Sequence, residues 1–128
     1  MRSRELALAA MEAALEKKAL EPVLIDVTEQ GTYTDYILVV SGRSDRHVQA
    51  VADGVLEVMK NERGLTPLGV EGKRDGHWTL LDFGDLIVHV FYHPMREFYD
   101  LEGLWVDAPR VQIKVPPESR IQVTDAYG

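Results

Sequence analysis

Apolar residues recur at helical spacing near the start of the chain, where Leu8, Met11 and Leu15 are flanked by Ala7 and Ala14. With Ser3 and Glu5 ahead of them, this pattern predicts a first helix over residues 4–20, which Pro22 is expected to end. Val23–Val27 is a short β-branched run, and Tyr36–Ser41 is a second, fully apolar run beyond the Gln30-Gly31-Thr32 turn. Two such runs predict strands in a sheet covered on both faces. The most regular stripe is Val48, Val51, Ala52, Val55 and Met59, with Arg46, Gln49, Asp53, Glu57 and Lys60 facing away. Ser44 stands where an N-cap would accept a backbone N–H, Asp45 suits the positive helix end, and Gly64 suits a left-handed stop, so a second helix is expected between them.

Beyond Pro67 the period changes from helical to alternating. Leu68–Glu71, Trp78–Phe83 and Leu86–Tyr92 read as strands, the last two joined by the two-residue loop Gly84-Asp85 of a tight hairpin. One arm places Trp78, Leu80 and Asp82 on one face and Thr79, Leu81 and Phe83 on the other. Pro94 can open a third helix, along which Met95, Phe98, Leu101 and Trp105 would form a core-facing side. The order α, β, β, α, β, β, β, α predicts an α/β domain of the α+β kind, a mixed sheet of about five strands flanked by helices, over residues 1–106. Residues 107–128 lose periodicity and gain prolines, as an extended or mobile tail does.

Composition narrows the function. The 128 residues carry 14 Lys and Arg against 21 Asp and Glu, a formal net charge of −7. An acidic domain is ill suited to gripping nucleic acid by phosphate neutralisation, so direct nucleic-acid binding is not expected as its main contact. There are no cysteines, which excludes disulfides and thiolate metal sites. No apolar run approaches the roughly 20 residues of a membrane span, and Glu5 and Glu12 interrupt any leader-like stretch, so a cytoplasmic protein is expected.

Three constellations could carry chemistry. Asp82 and Asp85 bring two carboxylates together, as a magnesium-dependent transferase would, yet they also flank a turn that wants Gly-Asp on its own account. Ser41-Gly42-Arg43-Ser44 joins a strand to a helix N-terminus, a geometry that can hold phosphate or serve as turn and cap. Four histidines are present, and His89 and His93, four residues apart, would lie about 13 Å from one another on a strand, too far to share a metal. No metal or cofactor is therefore expected. The segment Gly69–Trp78 holds three glycines and four charged residues, then delivers Trp78 to the first position of a strand. Trp78 is either core or a partly exposed anchor ringed by Glu71, Asp75 and Asp82, the composition of a surface for a basic partner. For Phe98, Tyr99 and Trp105, the helical spacing favours core packing.

Thr34-Asp35-Tyr36, Ser41–Val48, Gly69-Val70-Glu71-Gly72, Trp78, Leu81–Phe91 and Tyr99–Trp105 together resemble the iojap-like family of ribosomal silencing factors, in the family's order across residues 4–106. The resemblance implies a nucleotidyltransferase-like fold without that activity, and no Gly-Ser pair followed by Asp-x-Asp is present. It implies a translation repressor that binds the large ribosomal subunit through protein fourteen of that subunit and blocks joining of the small subunit when nutrients are scarce, with homodimerisation as a further expectation. On this reading Trp78 supplies desolvated contact area, and Glu71, Asp75, Asp82 and Asp85 complement basic side chains. His89, Tyr92 and Arg96 would be neighbours on that surface. The alternative is a metal-dependent nucleotidyl or phosphoryl transferase using Asp82 and Asp85 with the Ser41–Ser44 loop, which requires these groups to converge on one pocket.

Overall fold

A computed structural model describes residues 2–121. Helix α1 (Arg2–Glu16) leads to strands β1 (Leu20–Asp26) and β2 (Tyr36–Gly42), helix α2 (Asp45–Arg63), strands β3 (Gly69–Glu71), β4 (Trp78–Asp82) and β5 (Leu86–Tyr92), and helix α3 (His93–Tyr99). Short 3-10 turns follow at Leu101–Trp105 and Pro117–Ser119. The strands form one sheet in the order β1-β2-β5-β4-β3, with β2 and β5 parallel and every other pair antiparallel. The expected mixed, five-stranded α+β architecture is present. The parallel pair at its centre needs a crossover, and α2 with the β3–β4 arm supplies it.

Each sheet face has its own apolar layer. Helices α1 and α2 cover the first face, where Leu24, Leu38, Val40, Leu81, Val88 and Val90 meet Ala7, Ala10, Met11, Val51, Val55 and Met59. On the second face Ile25, Val27, Ile37, Val39 and Phe91 are covered more thinly, by Met95, Leu101, Trp105 and Ala108. Strand β2 is an interior strand, between β1 and β5, and is buried along its whole length, which explains its unbroken apolar run.

The caps of α2 act as the sequence suggests. Ser44 Oγ accepts the His47 N–H at 3.1 Å, and Gly64 closes the helix at φ +61°. The Gly84-Asp85 loop forms, with Gly84 at φ +85° where a side chain would be strained.

Two elements depart from expectation. The first helix ends at Glu16 rather than running to residue 20, because the chain turns at Lys18 (φ +64°) and is already a strand at Leu20. Pro22 therefore ends no helix. It lies within β1 at a register shift between Leu20 and Val23, and β1 is an edge strand, where a residue without an N–H is tolerated. The third helix is also shorter than its apolar stripe. It stops at Asp100, in the left-handed region at φ +45°, and the chain turns back through Leu101–Trp105. Leu101 and Trp105 reach the second core layer, while Phe98 is left 79% exposed.

The described part of the C-terminal segment lies along the free edge of β1. Asp26 N–H donates to Pro109 O at 2.9 Å, Val111 N–H donates to Leu24 O at 2.8 Å, and Arg110 bridges to Ile25. Ala108 enters the second layer, Val111 and Ile113 pack against the first, and Ser119 is buried. This part of the segment covers an edge that would otherwise present unpaired backbone groups.

Candidate functional site

Strand alternation decides which side chains share the thinly covered second face. In β4 these are Trp78, Leu80 and Asp82; in β5 they are Ile87, His89 and Phe91, paired as Trp78 with Phe91, Leu80 with His89 and Asp82 with Ile87. Glu71 of β3 lies opposite Leu80 and so joins the same face. Trp78 stacks on Phe91 with ring centroids 4.8 Å apart and meets Tyr99 of α3 at the same separation. Phe98 stands edge-on to Tyr99 at 5.3 Å. Beside this aromatic group, Glu71, Gly72, Trp78 and Leu80 line a shallow hollow of about 290 Å³.

Trp78 is thus both core and surface. One part of the ring covers Phe91, and the half-buried remainder faces the hollow. Its indole N–H donates to His89 Nδ1 at 3.0 Å. That bond places the proton of the neutral imidazole on Nε2. Burial pushes the His89 pKa down to about 4, so the ring is neutral at physiological pH and serves as an acceptor that fixes the indole. Of this group Phe98 and Tyr99 are exposed, and the turn after α3 carries two further exposed apolar residues, Leu104 and Val106.

The other expected site residues are distributed differently. Asp82 shares the face of Trp78, but its Oδ1 accepts the Gly84 N–H at 2.8 Å and shapes the hairpin. Asp85 lies beyond that hairpin and lines a separate hollow of about 450 Å³ with Arg2, Arg63, Glu62 and Phe83. Asp75 is exposed in the β3–β4 loop, which is fastened to α2 on the opposite side of the sheet: Gln49 Nε2 donates to the carbonyls of Lys73 and Arg74, and Lys73 pairs with Asp53 at 2.6 Å. Tyr92 points to the α1–α2 side, where it packs against the first core layer and near His77. Arg96 is not a surface neighbour either. It is 6% exposed, and its guanidinium binds both carboxylate oxygens of Glu102, at 2.9 and 3.2 Å. The structure brings Trp78, Glu71, Asp82 and His89 to one face, takes Asp75, Asp85 and Tyr92 elsewhere, and buries Arg96 against Ser41 and Glu102.

The arrangement weighed for a transferase does not form. Asp82 and Asp85 sit at the start of β5 and the Ser41–Ser44 loop at the end of β2; because these strands are parallel and in register from Tyr36–Leu86 to Gly42–Tyr92, the two sets are separated by a strand length of about 20 Å. One backbone donor of the loop and one in the first turn of α2 are also engaged. Arg43 N–H donates to His47 Nδ1 at 2.8 Å and Arg46 N–H to Asp45 Oδ1 at 2.8 Å. Among the described residues no group of three His, Asp or Glu side chains is placed to hold a metal.

Tyr99 and Phe98 belong to the face although their helical spacing favours core packing. Leu80 was legible from strand alternation with Trp78. The exposure of Phe98 follows from the break at Asp100, which an unbroken helical stripe conceals.

Comparison with known proteins agrees with this architecture. The family model described as "Ribosomal silencing factor during starvation" matches residues 1–126. The chain is 36% identical over 114 residues to a ribosomal silencing factor of Halalkalibacterium halodurans, covering 89% of this chain and 97% of that one. It is 35% identical over 109 residues to that of Bacillus subtilis, covering 85% and 92%. A mouse protein named for mitochondrial assembly of the ribosomal large subunit is 32% identical over 92 residues, 70% of this chain and 40% of that protein. A crystal structure of a Chromobacterium violaceum protein superimposes with a TM-score of 0.79 at 32% identity, covering 91% of this chain and 95% of that one. Together with the two-layered mixed sheet, these matches establish that the chain belongs to the ribosomal silencing factor family.

Proposed function

We propose that this protein is a non-enzymatic translation repressor of the cytoplasm that docks on the large ribosomal subunit, through protein fourteen of that subunit, and sterically prevents the small subunit from joining under nutrient limitation. The observation that carries the reading is the second sheet face: a half-buried tryptophan held by His89, flanked by Tyr99 with Phe98 against it, and bordered by Glu71 and Asp82. Apolar contact area around an aromatic anchor with few charges at the centre is the anatomy of a protein-binding patch. The carboxylates at its border suit a basic ribosomal protein and repel RNA. The large subunit is favoured by the family and by the name of the mouse relative. The exposed Phe98, Leu104 and Val106 also suit a homodimer in which a second copy covers this face when the ribosome does not.

The test is a subunit-reassociation assay on sucrose gradients with purified protein. Added protein should leave the large subunit free of its partner and co-sedimenting with the repressor. Trp78→Ala should weaken capture by about 2 kcal/mol, roughly thirtyfold, if Trp78 acts as a hot spot. Full reassociation in the presence of saturating protein refutes the proposal, and capture unaffected by Trp78→Ala in a folded variant refutes the anchor.

A further inference from the structure

The aromatic face is carried by elements too short to hold themselves. Tyr99 and Phe98 end a seven-residue helix, and Leu104 lies on a five-residue 3-10 turn beyond it. Between them the chain passes Asp100 at φ +45°, a conformation that persists only where surrounding structure enforces it. Arg96 spans this corner. From α3 its Nε and Nη2 reach Glu102 on the far side of Asp100 at 2.9 and 3.2 Å, while Nη1 donates to Glu21 O at 2.6 Å in the β1 bulge and to Ser41 Oγ at 3.0 Å at the end of β2. Ser41 Oγ in turn lies 2.9 Å from His93 Nδ1 and can donate to it while accepting from Arg96.

Glu21 extends the chain of contacts. Its carbonyl oxygen accepts from Arg96, and its side-chain Oε1 accepts the Ile121 N–H at 2.6 Å. Glu21 itself sits at φ +47°. The C-terminal segment is thereby tied to the same residue that receives the guanidinium, and its Arg110 adds positive charge toward Glu102.

We propose that Arg96 is a positioning residue for the docking face: with Glu102 it fixes the corner that sets Tyr99, with Phe98 against it, beside Trp78, and the C-terminal segment braces this corner through Glu21. Arg96 touches no partner in this arrangement and acts only through the elements it joins. The inference rests on the docking reading above, and its test separates the two. Glu102→Gln, which preserves shape, and Arg96→Lys, which loses the two-pronged contact, are compared with Glu21→Ala and Glu21→Gln. The readouts are amide hydrogen exchange over residues 99–105, the Trp78 indole N–H resonance, and capture of large subunits.

The expected result for Glu102→Gln and Arg96→Lys is faster exchange over residues 99–105, a displaced Trp78 resonance and at least tenfold weaker capture, with protection in β2 and β5 unchanged. Glu21→Ala should move the same readouts in the same direction. Glu21→Gln should restore them, because its amide oxygen can still accept from Ile121. Unchanged exchange and resonance in Glu102→Gln overturn the proposal, as does parent-like capture by a variant whose corner has loosened, or a Glu21→Gln variant as impaired as Glu21→Ala. If Arg96→Lys does not fold, Glu102→Gln decides the matter. If Trp78→Ala leaves capture intact, the docking reading fails, while exchange and the indole resonance still judge the brace.

Discussion

Acidification should destabilise this protein through one residue more than any other. His89 is buried between β4 and the apolar second layer, its Nδ1 accepts from Trp78, and its pKa is held down at about 4 by burial. In the unfolded chain the same imidazole titrates near 6.5. The unfolded state therefore takes up a proton first as pH falls, so stability is fully present above about pH 6.5 and is lost as pH descends through 4. A separation of about 2.5 pK units corresponds to roughly 3 kcal/mol in full, of which about 2 kcal/mol is already gone at pH 5. His93 is also lowered, by burial and then by the Arg96 charge, but neighbouring carboxylates oppose this and the group is partly exposed, so its share is smaller. The assay is urea unfolding at pH 7 and pH 5 for the parent and for His89→Phe, which cannot titrate. The variant loses the acceptor of the Trp78 indole and should be weaker at pH 7, yet its stability should fall by about 2 kcal/mol less between the two pH values. Equal pH dependence of the two proteins, or an NMR titration placing His89 near 6.5, would refute the reasoning.

Two further substitutions test local claims. Ser44→Ala removes the oxygen that accepts the His47 N–H and should cost about 1 kcal/mol in chemical denaturation, with the unfolding slope unchanged. Gly72→Ala should be worse, because Gly72 is at φ +75° and a Cβ there would collide with the Trp78 carbonyl oxygen. A loss of about 2 kcal/mol or more is expected by calorimetry, together with weaker capture of large subunits, since the displaced backbone carries Trp78.

What the sequence revealed depended on whether the controlling interactions were local. Helix α2 was legible from end to end because its stripe, Ser44 cap and Gly64 stop all lie within twenty-one residues of chain. The hairpin was legible because Gly84 must occupy a positive φ. The limits of α1 and α3 were not, because residues 17–20 continue a helical composition and the stop at Asp100 lies beside Arg96, whose partners Ser41 and Glu21 are 55 and 75 residues away. Pro22 misled for a related reason, since only the sheet order reveals that β1 is an edge. Alternation sorted Trp78, His89 and Tyr92 into faces but could not say which face two helices would cover, because both faces are apolar. Tyr92, three residues from His89 on one strand, lies on the opposite face by the same alternation, so placing it beside His89 on the expected surface runs against a pattern already present in the sequence.

This sorting changes the part played by the acidic charge. Of the four carboxylates expected around Trp78, only Glu71 and Asp82 share its face, and Asp82 is partly engaged by the Gly84 N–H. Exposed ion pairs contribute roughly 0.2–1 kcal/mol each, so two of them supply about 1 kcal/mol, or a fivefold effect, and added salt screens most of it. On the proposed docking mode the aromatic contacts around Trp78 carry the larger share and are insensitive to screening. Capture of large subunits should accordingly weaken less than about tenfold between 0.1 and 0.5 M monovalent salt, while its rate of formation falls more than its lifetime, as the local attraction of Glu71 and Asp82 for a basic partner is screened. Surface plasmon resonance with immobilised large subunits measures both quantities. A loss of a hundredfold or more, arising in the dissociation rate, would mean that carboxylates dominate the contact and that the docking face lies nearer Asp75 or Asp85 than Trp78.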